Sequence, residues 1–342
     1  MTCCGNCFGD RFLRQEAIPS LSQSEGVCSF CESHNVRVVE PSALIEYFQA
    51  LVGTYRPDES GELLIYWFRN DRGLFEHQRM DDPRAKELLS EILDDGEIVR
   101  QRFSPIPTSD GDRLVEWQDL RDELMYRNRY FPGVDIDLER LEQLLSHLKI
   151  DEAEVPGGWY RARIQTGDAA FDISYMGAPP KRTASHGRAN PAGIPYLYLA
   201  SSIDTAISEV RPHTGEIVCV ADFSIVGGLS LVDLRRPKKT VSPFLFADAR
   251  DIGRMRNDLP FLERLGEELT RPVVPQSAAI DYTPSQYLCE FIKKCGYDGV
   301  VYRSSVSGGM NLALFSVEIA RAGAVAQFRV DQVSVRSSVF DG

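Results

Sequence analysis

Apolar residues recur every three or four positions through much of the first half of the chain, the spacing of an amphipathic helix. Residues 43–52 show this spacing. A second helix is predicted to begin after Asp82, which acts as its cap, with Pro83 at its first position. A third is predicted to open near Asp137, and its apolar stripe consists of Leu138, Leu141, Leu145 and Leu148. These segments predict a mainly helical domain over residues 41–153.

Beyond residue 154 the pattern changes to short runs rich in Val, Ile and Leu, several of which alternate with polar residues as strands do. The predicted strands comprise residues 159–164, 196–199, 217–223, 229–234, 300–302 and 311–315. The predicted helices comprise residues 205–210, residues 259–269 and a segment that opens at Thr283. The sequence EVPGG, from Glu154 to Gly158, is interpreted as a linker. Residues 154–342 are therefore predicted to form a mixed α/β domain, and the expected fold class is α+β.

The cysteines are concentrated at the N-terminus, where five of the eight lie within the first 31 residues. The two C-x2-C pairs are Cys4 with Cys7 and Cys28 with Cys31. Two such pairs at this separation are typical of a zinc knuckle, and Cys3 is an alternative to Cys4 as ligand. Four thiolates leave no open coordination position, so residues 1–40 are expected to hold a structural zinc ion. A loose or oxidised N-terminal tail is the alternative.

Charge and hydropathy narrow the class of protein. The 342 residues carry a formal net charge of -12, which argues against a general affinity for nucleic acid or anionic membranes. No apolar run approaches the roughly 20 residues that a membrane-spanning helix needs. The N-terminus lacks the apolar core of a secretion signal, so the expected location is the cytoplasm. No glycine-rich G-x-G-x-x-G or Walker loop opens a helix, so neither type of nucleotide site is supported.

The stretch from His186 to Pro212 brings three kinds of chemical group close together in the sequence. Glycines and prolines predict a loop around Arg188, and the alternating segment that follows predicts a strand through Tyr198. Ser202 and Asp204 can cap a short helix that carries Glu209 on a face turned away from its apolar residues. A cation, an aromatic ring and a carboxylate on three joined elements indicate a pocket.

Four segments of the second half resemble, in the same order, the motifs of the RES family, which is named for an arginine, a glutamate and a serine. They are GRANPAGIPYLYLA, AISEVRP, YTPSQYLCEFIKKCGYDGVVYRSS and NLALF. The resemblance runs from Trp159 to Phe315. The N-terminal cysteines and helices are similar to accessory regions of some longer RES proteins.

The resemblance implies a fold similar to that of ADP-ribosyltransferases and an activity on NAD+. Many RES proteins are toxins of bacterial toxin–antitoxin pairs and are neutralised by a helix-turn-helix antitoxin. They deplete NAD+ by hydrolysis or phosphorolysis of the nicotinamide–ribose bond, whereas some members transfer ADP-ribose to a protein. The expectation for this chain is a RES-type, NAD+-cleaving toxin enzyme.

The resemblance also indicates which residues form the site. The family arginine falls on Arg188 in GRANP, the tyrosine on Tyr198 in LYLA, and the glutamate on Glu209 in SEVRP. The serine falls on Ser304 in YRSS, with Ser305 as the neighbouring alternative. Further candidates for contact with the phosphates of NAD+ are Arg163, Arg211 and Arg303.

The chemistry of the reaction suits these residue types. The nicotinamide ring of NAD+ is cationic and leaves as a neutral molecule. The transition state resembles an oxocarbenium ion, which a carboxylate such as Glu209 stabilises. Arg188 is expected to bind the pyrophosphate through charge-assisted hydrogen bonds. Tyr198 offers a ring and a hydroxyl to the nicotinamide end, and Ser304 is expected to orient that end by hydrogen bonding.

Two other functions remain open on sequence alone. A protein ADP-ribosyltransferase would use the same site with a protein as acceptor. A non-catalytic binding module would use the knuckle and helices to recruit a partner, and its function would depend on the knuckle cysteines rather than on Arg188 and Glu209.

Overall fold

The computed structural model describes residues 1–107, 117–150, 154–274 and 276–334. The chain divides into two compact units, each made of two stretches. They comprise Met1–Glu116 with Arg236–Glu263, and Trp117–Arg235 with Arg264–Gly342. The second stretch of the first unit lies far from the first in sequence, so the sequence pattern alone gives no sign that the two belong together.

The helices in chain order are α1 (Gly5–Phe8), α2 (Ile18–Leu21), α3 (Ile45–Val52), α4 (Leu64–Arg72), α5 (Asp82–Leu93), α6 (Trp117–Tyr126), α7 (Leu138–His147), α8 (Ile203–Glu209), α9 (Pro237–Thr240), α10 (Ala249–Thr270), α11 (Ala278–Asp281) and α12 (Thr283–Lys294). The strands are β1 (Ser24–Gly26), β2 (Val36–Val38), β3 (Tyr55–Leu63), β4 (Arg102–Pro105), β5 (Trp159–Ile164), β6 (Leu197–Ala200), β7 (Ile217–Ile225), β8 (Leu231–Asp233), β9 (Gly299–Arg303), β10 (Met310–Leu314) and β11 (Ala320–Arg329). None of the helices in the described ranges is both long and apolar enough to span a bilayer.

The first unit packs α3, α4 and α5 around a core rich in phenylalanine. Phe8, Phe48, Phe68 and Phe75 are almost completely buried. Their rings contact one another with centroids 5.5 to 6.4 Å apart. Burying aromatic side chains supplies a large share of the stability of such a core. The apolar spacing that predicts helices over residues 43–52 and after residue 82 therefore marks the faces that cover this core.

The cap of α5 lies one residue earlier than predicted. Asp81, rather than Asp82, precedes the helix, and its carboxylate accepts a hydrogen bond from the backbone N–H of Arg84 at 3.0 Å. Asp82 is the first residue of the helix and Pro83 the second. Backbone N–H groups in the first turn have no partner within the helix, so proline, which lacks an N–H, is tolerated there. The short pairs β1–β2 and β3–β4 have no counterpart in the prediction. β1 and β3 are mostly polar, and β2 alternates over only three residues.

The second unit contains a sheet in the order β11-β7-β5-β6-β10-β9-β8. Neighbouring strands are antiparallel except β8 and β9, which pair in parallel. Helices and a mixed sheet in one chain confirm the predicted α+β class. β5 has the predicted bounds, whereas β11 was not predicted and pairs with β7 through a register shift between Ala322 and Val325.

The middle of this sheet is weakly joined. Among the described residues one pair, Tyr160 with Ala200, connects β5 to β6, whereas β5 pairs with β7 along its whole length. The two strands therefore part on one side of Tyr160. Beyond this pair the backbones of β5 and β6 are separated by an opening in the sheet.

The helix α8 follows β6 and covers the sheet beside this opening. Ser202 caps it as predicted, with its Oγ accepting a hydrogen bond from the backbone N–H of Thr205 at 3.2 Å. Ala206 is buried against Ala162 and Ala200 of the adjacent strands. Glu209 lies three positions after Ala206, so the two share a side of the helix and both face the opening, whereas the sequence pattern predicted Glu209 on a different face.

Candidate functional site

The loop that carries Arg188 is built around Tyr198 and Asn190. The Tyr198 hydroxyl donates to Asn190 Oδ1 at 2.7 Å and accepts from the backbone N–H of Ala189 at 3.0 Å. The amide nitrogen of buried Asn190 donates to three carbonyls of the same loop at 2.9 to 3.1 Å. Burial raises the pKa of Tyr198 well above its ordinary value. The hydroxyl is thus a neutral group engaged in holding the loop.

Gly187 lies where this network leaves no room for a side chain. A Cβ added at this position would lie 2.3 Å from Asn190 Oδ1 and 2.4 Å from the Tyr198 hydroxyl. The backbone carbonyl of Gly187 accepts a hydrogen bond from Gln286 Nε2 at 2.8 Å. Glycine in the G-R motif therefore lets the backbone approach the tyrosine closely.

Arg188 is held from the opposite side by Arg271, which directly follows α10, and by residues at the start of α12. Its Nη1 donates to the backbone carbonyl of Arg271, and its guanidinium carbon lies 5.5 Å from the centroid of the Tyr282 ring. The Arg188 carbonyl accepts from Ser285 Oγ at 2.6 Å. A carbonyl and a ring orient the guanidinium without neutralising its charge.

Glu209 is fixed by two neutral donors. Its Oε1 accepts from Ser304 Oγ at 2.7 Å and from Asn311 Nδ2 at 2.6 Å. Ser304 Oγ in turn accepts from the backbone N–H groups of Val306 and Ser307 at 3.2 and 3.1 Å, so its single proton points to the carboxylate. The serine that contacts Glu209 is thus Ser304, while Ser305 follows it in the loop.

A cavity of about 340 Å³ lies where β5 and β6 part. Its volume falls within the usual range of small-molecule sites. Residues 160–162 of one strand and 198–200 of the other line it, as expected for an opening between two backbones. The other lining residues are His186, Gly187, Arg188, Ala206, Glu209, Val210, Tyr282, Tyr302 and Asn311. Arg188, Tyr198 and Glu209 therefore surround one space, and Ser304 adjoins it through Glu209.

Arg161 also lines the cavity, although sequence reasoning did not select it. Its Nη1 donates to the Tyr198 carbonyl at 3.1 Å, and its Nε is shielded from solvent without a partner among the described residues. Burial lowers the pKa of Arg161 to about 10, which leaves it protonated at neutral pH. Asn311 and Tyr302 were missed as well, because nothing in their local sequence separates them from other strand residues.

The three further arginines selected from the sequence do not line the cavity. Arg163 is exposed, stacks 4.8 Å from the centroid of the Phe171 ring and donates to the Tyr175 carbonyl at 2.6 Å. Arg303 is exposed at the end of β9, and Arg211 lies beyond α8 with a left-handed backbone φ of 50°. Contact of Arg163, Arg211 and Arg303 with the phosphates of NAD+ stays a prediction, and the residues that line the cavity do not support it.

The four predicted metal ligands of the first unit lie together. The Sγ atoms of Cys4, Cys7, Cys28 and Cys31 are buried and all within 4.8 Å of one another. Sulfur atoms bound tetrahedrally to zinc at 2.3 Å are about 3.8 Å apart, so the cluster has the size of a Cys4 zinc site. Hydrogen bonds among the thiols lower the pKa of Cys28 and raise the pKa values of Cys4 and Cys7. Cys3 is buried outside the cluster.

Comparison with known proteins gives one family match. The RES domain model matches residues 159–336 of the chain. A chain in a solved structure, the MbcT-MbcA toxin-antitoxin complex of M. tuberculosis, is similar to this chain, with 15% sequence identity and a TM-score of 0.32. The alignment covers 56% of this chain and 93% of the chain in the complex. At that score the likeness supports no inference about this chain. No curated protein matches.

Proposed function

Because this chain belongs to the RES domain family, we propose that it is a toxin enzyme that cleaves NAD+ at the nicotinamide–ribose bond and depletes cellular NAD+. The acceptor in this proposal is water or phosphate, which makes the enzyme a glycohydrolase or a phosphorylase. The observation that carries the proposal is the cavity between β5 and β6, which combines two arginines with one firmly held carboxylate. A helix-turn-helix antitoxin is the proposed protein partner, on the resemblance to the family.

The arginines fit the pyrophosphate of NAD+. Arg161 and Arg188 line the cavity, and within the described ranges neither guanidinium contacts a carboxylate. A buried cation without a counter-ion is costly, and an anionic ligand removes this cost. Planar guanidinium groups bind phosphate oxygens through charge-assisted hydrogen bonds. The positive charge is local, because the chain as a whole has a net charge of -12.

Glu209 fits the ribose that joins nicotinamide to the dinucleotide. Ser304 and Asn311 both donate to Oε1, so Oε2 is left to accept from a ribose hydroxyl and to face the sugar. When the bond from the ribose carbon to nicotinamide breaks, its electron pair leaves with nicotinamide and positive charge develops on the sugar. The carboxylate stabilises that charge. Water or phosphate then adds to the same carbon, and water gives up a proton in doing so.

Tyr198 has a different part in this proposal from the one expected on sequence alone. Its hydroxyl is occupied by Asn190 and Ala189 and is not available to nicotinamide. The residue lines the cavity and fixes the loop of Arg188. It is therefore a positioning residue.

Proton NMR of NAD+ with the purified chain, with and without phosphate, tests the function. Nicotinamide and ADP-ribose are expected as products, or nicotinamide and ADP-ribose-1″-phosphate when phosphate is the acceptor. Intact NAD+ under both conditions would contradict the proposal. In that case tagged NAD+ would reveal whether a protein acceptor becomes labelled.

Replacing Arg161 with glutamine is expected to weaken binding of ADP-ribose about tenfold or more, because a hydrogen bond to a charged group contributes roughly 1.5–3 kcal/mol. Isothermal titration calorimetry measures the change. Arg163→Gln is the matched control, since Arg163 lies two positions along the same strand and outside the cavity's lining. Equal losses in both variants would contradict a role for Arg161 in binding. Thermal unfolding of both variants would report any loss of stability from the missing contact with the Tyr198 carbonyl.

A further inference from the structure

Two arginines and two shielded carboxylates form a network beside the cavity, and at its edge Arg121 Nη1 also lies 3.9 Å from Oδ1 of the more exposed Asp122. Arg121 of α6 lies with its Nε 3.3 Å from Glu268 Oε1 and its Nη2 3.6 Å from Asp281 Oδ1. Arg271 contacts the same two carboxylates, with its Nε 2.6 Å from Glu268 Oε2 and its Nη2 3.5 Å from Asp281 Oδ1. The Glu268 side chain is only 10% exposed and that of Arg121 only 18%. Partly buried pairs of this kind are screened less by solvent than surface pairs are.

The network ends at the two groups that hold Arg188. The Arg188 Nη1 donates to the backbone carbonyl of Arg271, a member of the network. The ring beneath the guanidinium belongs to Tyr282, which directly follows Asp281, another member. Arg121 contacts a carboxylate on each side of this arrangement. It therefore ties together the segments that supply the carbonyl and the ring.

The position of Arg121 in the chain makes this contact informative. The RES match begins at residue 159, whereas α6 ends at Tyr126, and α7 lies between the two in the sequence. We propose that Arg121 is a positioning residue for Arg188, so that the catalytic unit of this chain includes α6 and not the RES match alone. The inference rests on the proposed function in one respect, namely that Arg188 binds the pyrophosphate.

The charge balance explains how Arg121 acts. The two arginines balance the shielded carboxylates of Glu268 and Asp281, and the third carboxylate near Arg121, that of Asp122, is 46% exposed and therefore screened by solvent. The charge of Arg188 is thus left for an anionic ligand. Removal of Arg121 leaves Glu268 and Asp281 sharing Arg271, so an excess carboxylate lies close to the carbonyl and ring that hold Arg188. The excess negative charge attracts the Arg188 guanidinium away from the pyrophosphate, and the segment from Arg271 to Tyr282 loses one of its anchors. Both effects weaken binding through Arg188.

Titration of ADP-ribose into the full-length chain tests the proposal without requiring cleavage. Arg121→Gln is expected to weaken binding about tenfold. Arg121→Lys keeps the positive charge and is expected to recover part of the affinity. Arg127→Gln is the matched control, because Arg127 directly follows the same helix and its side chain is 75% exposed, and no change is expected. Far-UV circular dichroism checks whether each variant folds. If Arg121→Gln does not fold, the affinity of Arg121→Lys is compared with that of the wild-type chain instead.

A double variant separates positioning from general support of the fold. Because Arg121 acts through Arg188, adding Arg121→Gln to Arg188→Gln is expected to cost little further affinity. Additive losses would overturn the proposal, as would an equal loss of affinity for nicotinamide riboside, which has no pyrophosphate. Failure of the wild-type chain to bind ADP-ribose would also overturn it. Binding of ADP-ribose with NAD+ left intact would refute the proposed activity alone, and the comparison of variants would still decide the role of Arg121.

Discussion

Replacing Glu209 with glutamine is expected to lower the rate of NAD+ cleavage about 100- to 1,000-fold, the usual effect of removing a group that stabilises transition-state charge. The amide oxygen of glutamine can still accept from Ser304 and Asn311, so the geometry is kept while the negative charge is lost. Binding of NAD+ is expected to change little, because the charge matters most when the ribose becomes cationic. Nicotinamide release at saturating NAD+ measures the effect.

Asp204→Asn provides the control for this prediction. Asp204 lies in the first turn of the same helix, is exposed and does not line the cavity. Its replacement removes the same charge from α8 and is expected to leave the rate unchanged. A rate retained in Glu209→Gln, or lost equally in both variants, would refute the role assigned to Glu209.

Replacing Cys28 with serine is expected to remove the bound metal and to destabilise the first unit by at least about 5 kcal/mol, since a structural zinc site contributes roughly 10 kcal/mol or more to folding. The cysteines are all buried and belong to the same apolar core as Phe8 and Phe30. A metal ion held by the four cysteines would therefore link α1 to the segment around Cys28 inside that core. Zinc content by mass spectrometry and urea-induced unfolding measure the two effects.

Cys3→Ala separates loss of metal from loss of a buried cysteine. Cys3 is as buried as the ligands, yet its sulfur lies outside the cluster. Its replacement is expected to cost some packing energy and to leave one zinc ion per chain. Unchanged zinc content in Cys28→Ser, or loss of zinc in Cys3→Ala, would show that the ligand set is wrong.

The local part of the site was predictable, and the long-range part was not. Arg188, Tyr198 and Glu209 lie within a stretch of loop, strand and helix whose turns and caps can be read from the residues themselves. Arg161 and Arg163 are equivalent in an alternating sequence. The difference between them arises because β5 and β6 part beside Arg161, while Phe171 and the Tyr175 carbonyl hold Arg163 elsewhere.

The same distinction applies to the remaining contacts. Asn311 reaches Glu209 across 102 residues of sequence, and its partner could not be inferred from its neighbours in the chain. Arg121 contacts Glu268 through packing between distant helices. The role expected for the Tyr198 hydroxyl changed for a related reason, since a motif identifies a residue type but not the partner that its polar atom finds.

The parting of β5 and β6 has a consequence for how this protein can diverge. The space between the strands is created by the main chain, which is joined at Tyr160 and Ala200 and held on either side by complete ladders. Mutations in the lining side chains can therefore alter which molecule is accepted while the opening itself persists. Related sequences can be expected to keep the architecture of the cleft and vary its polar lining, so that substrate preference evolves faster than shape.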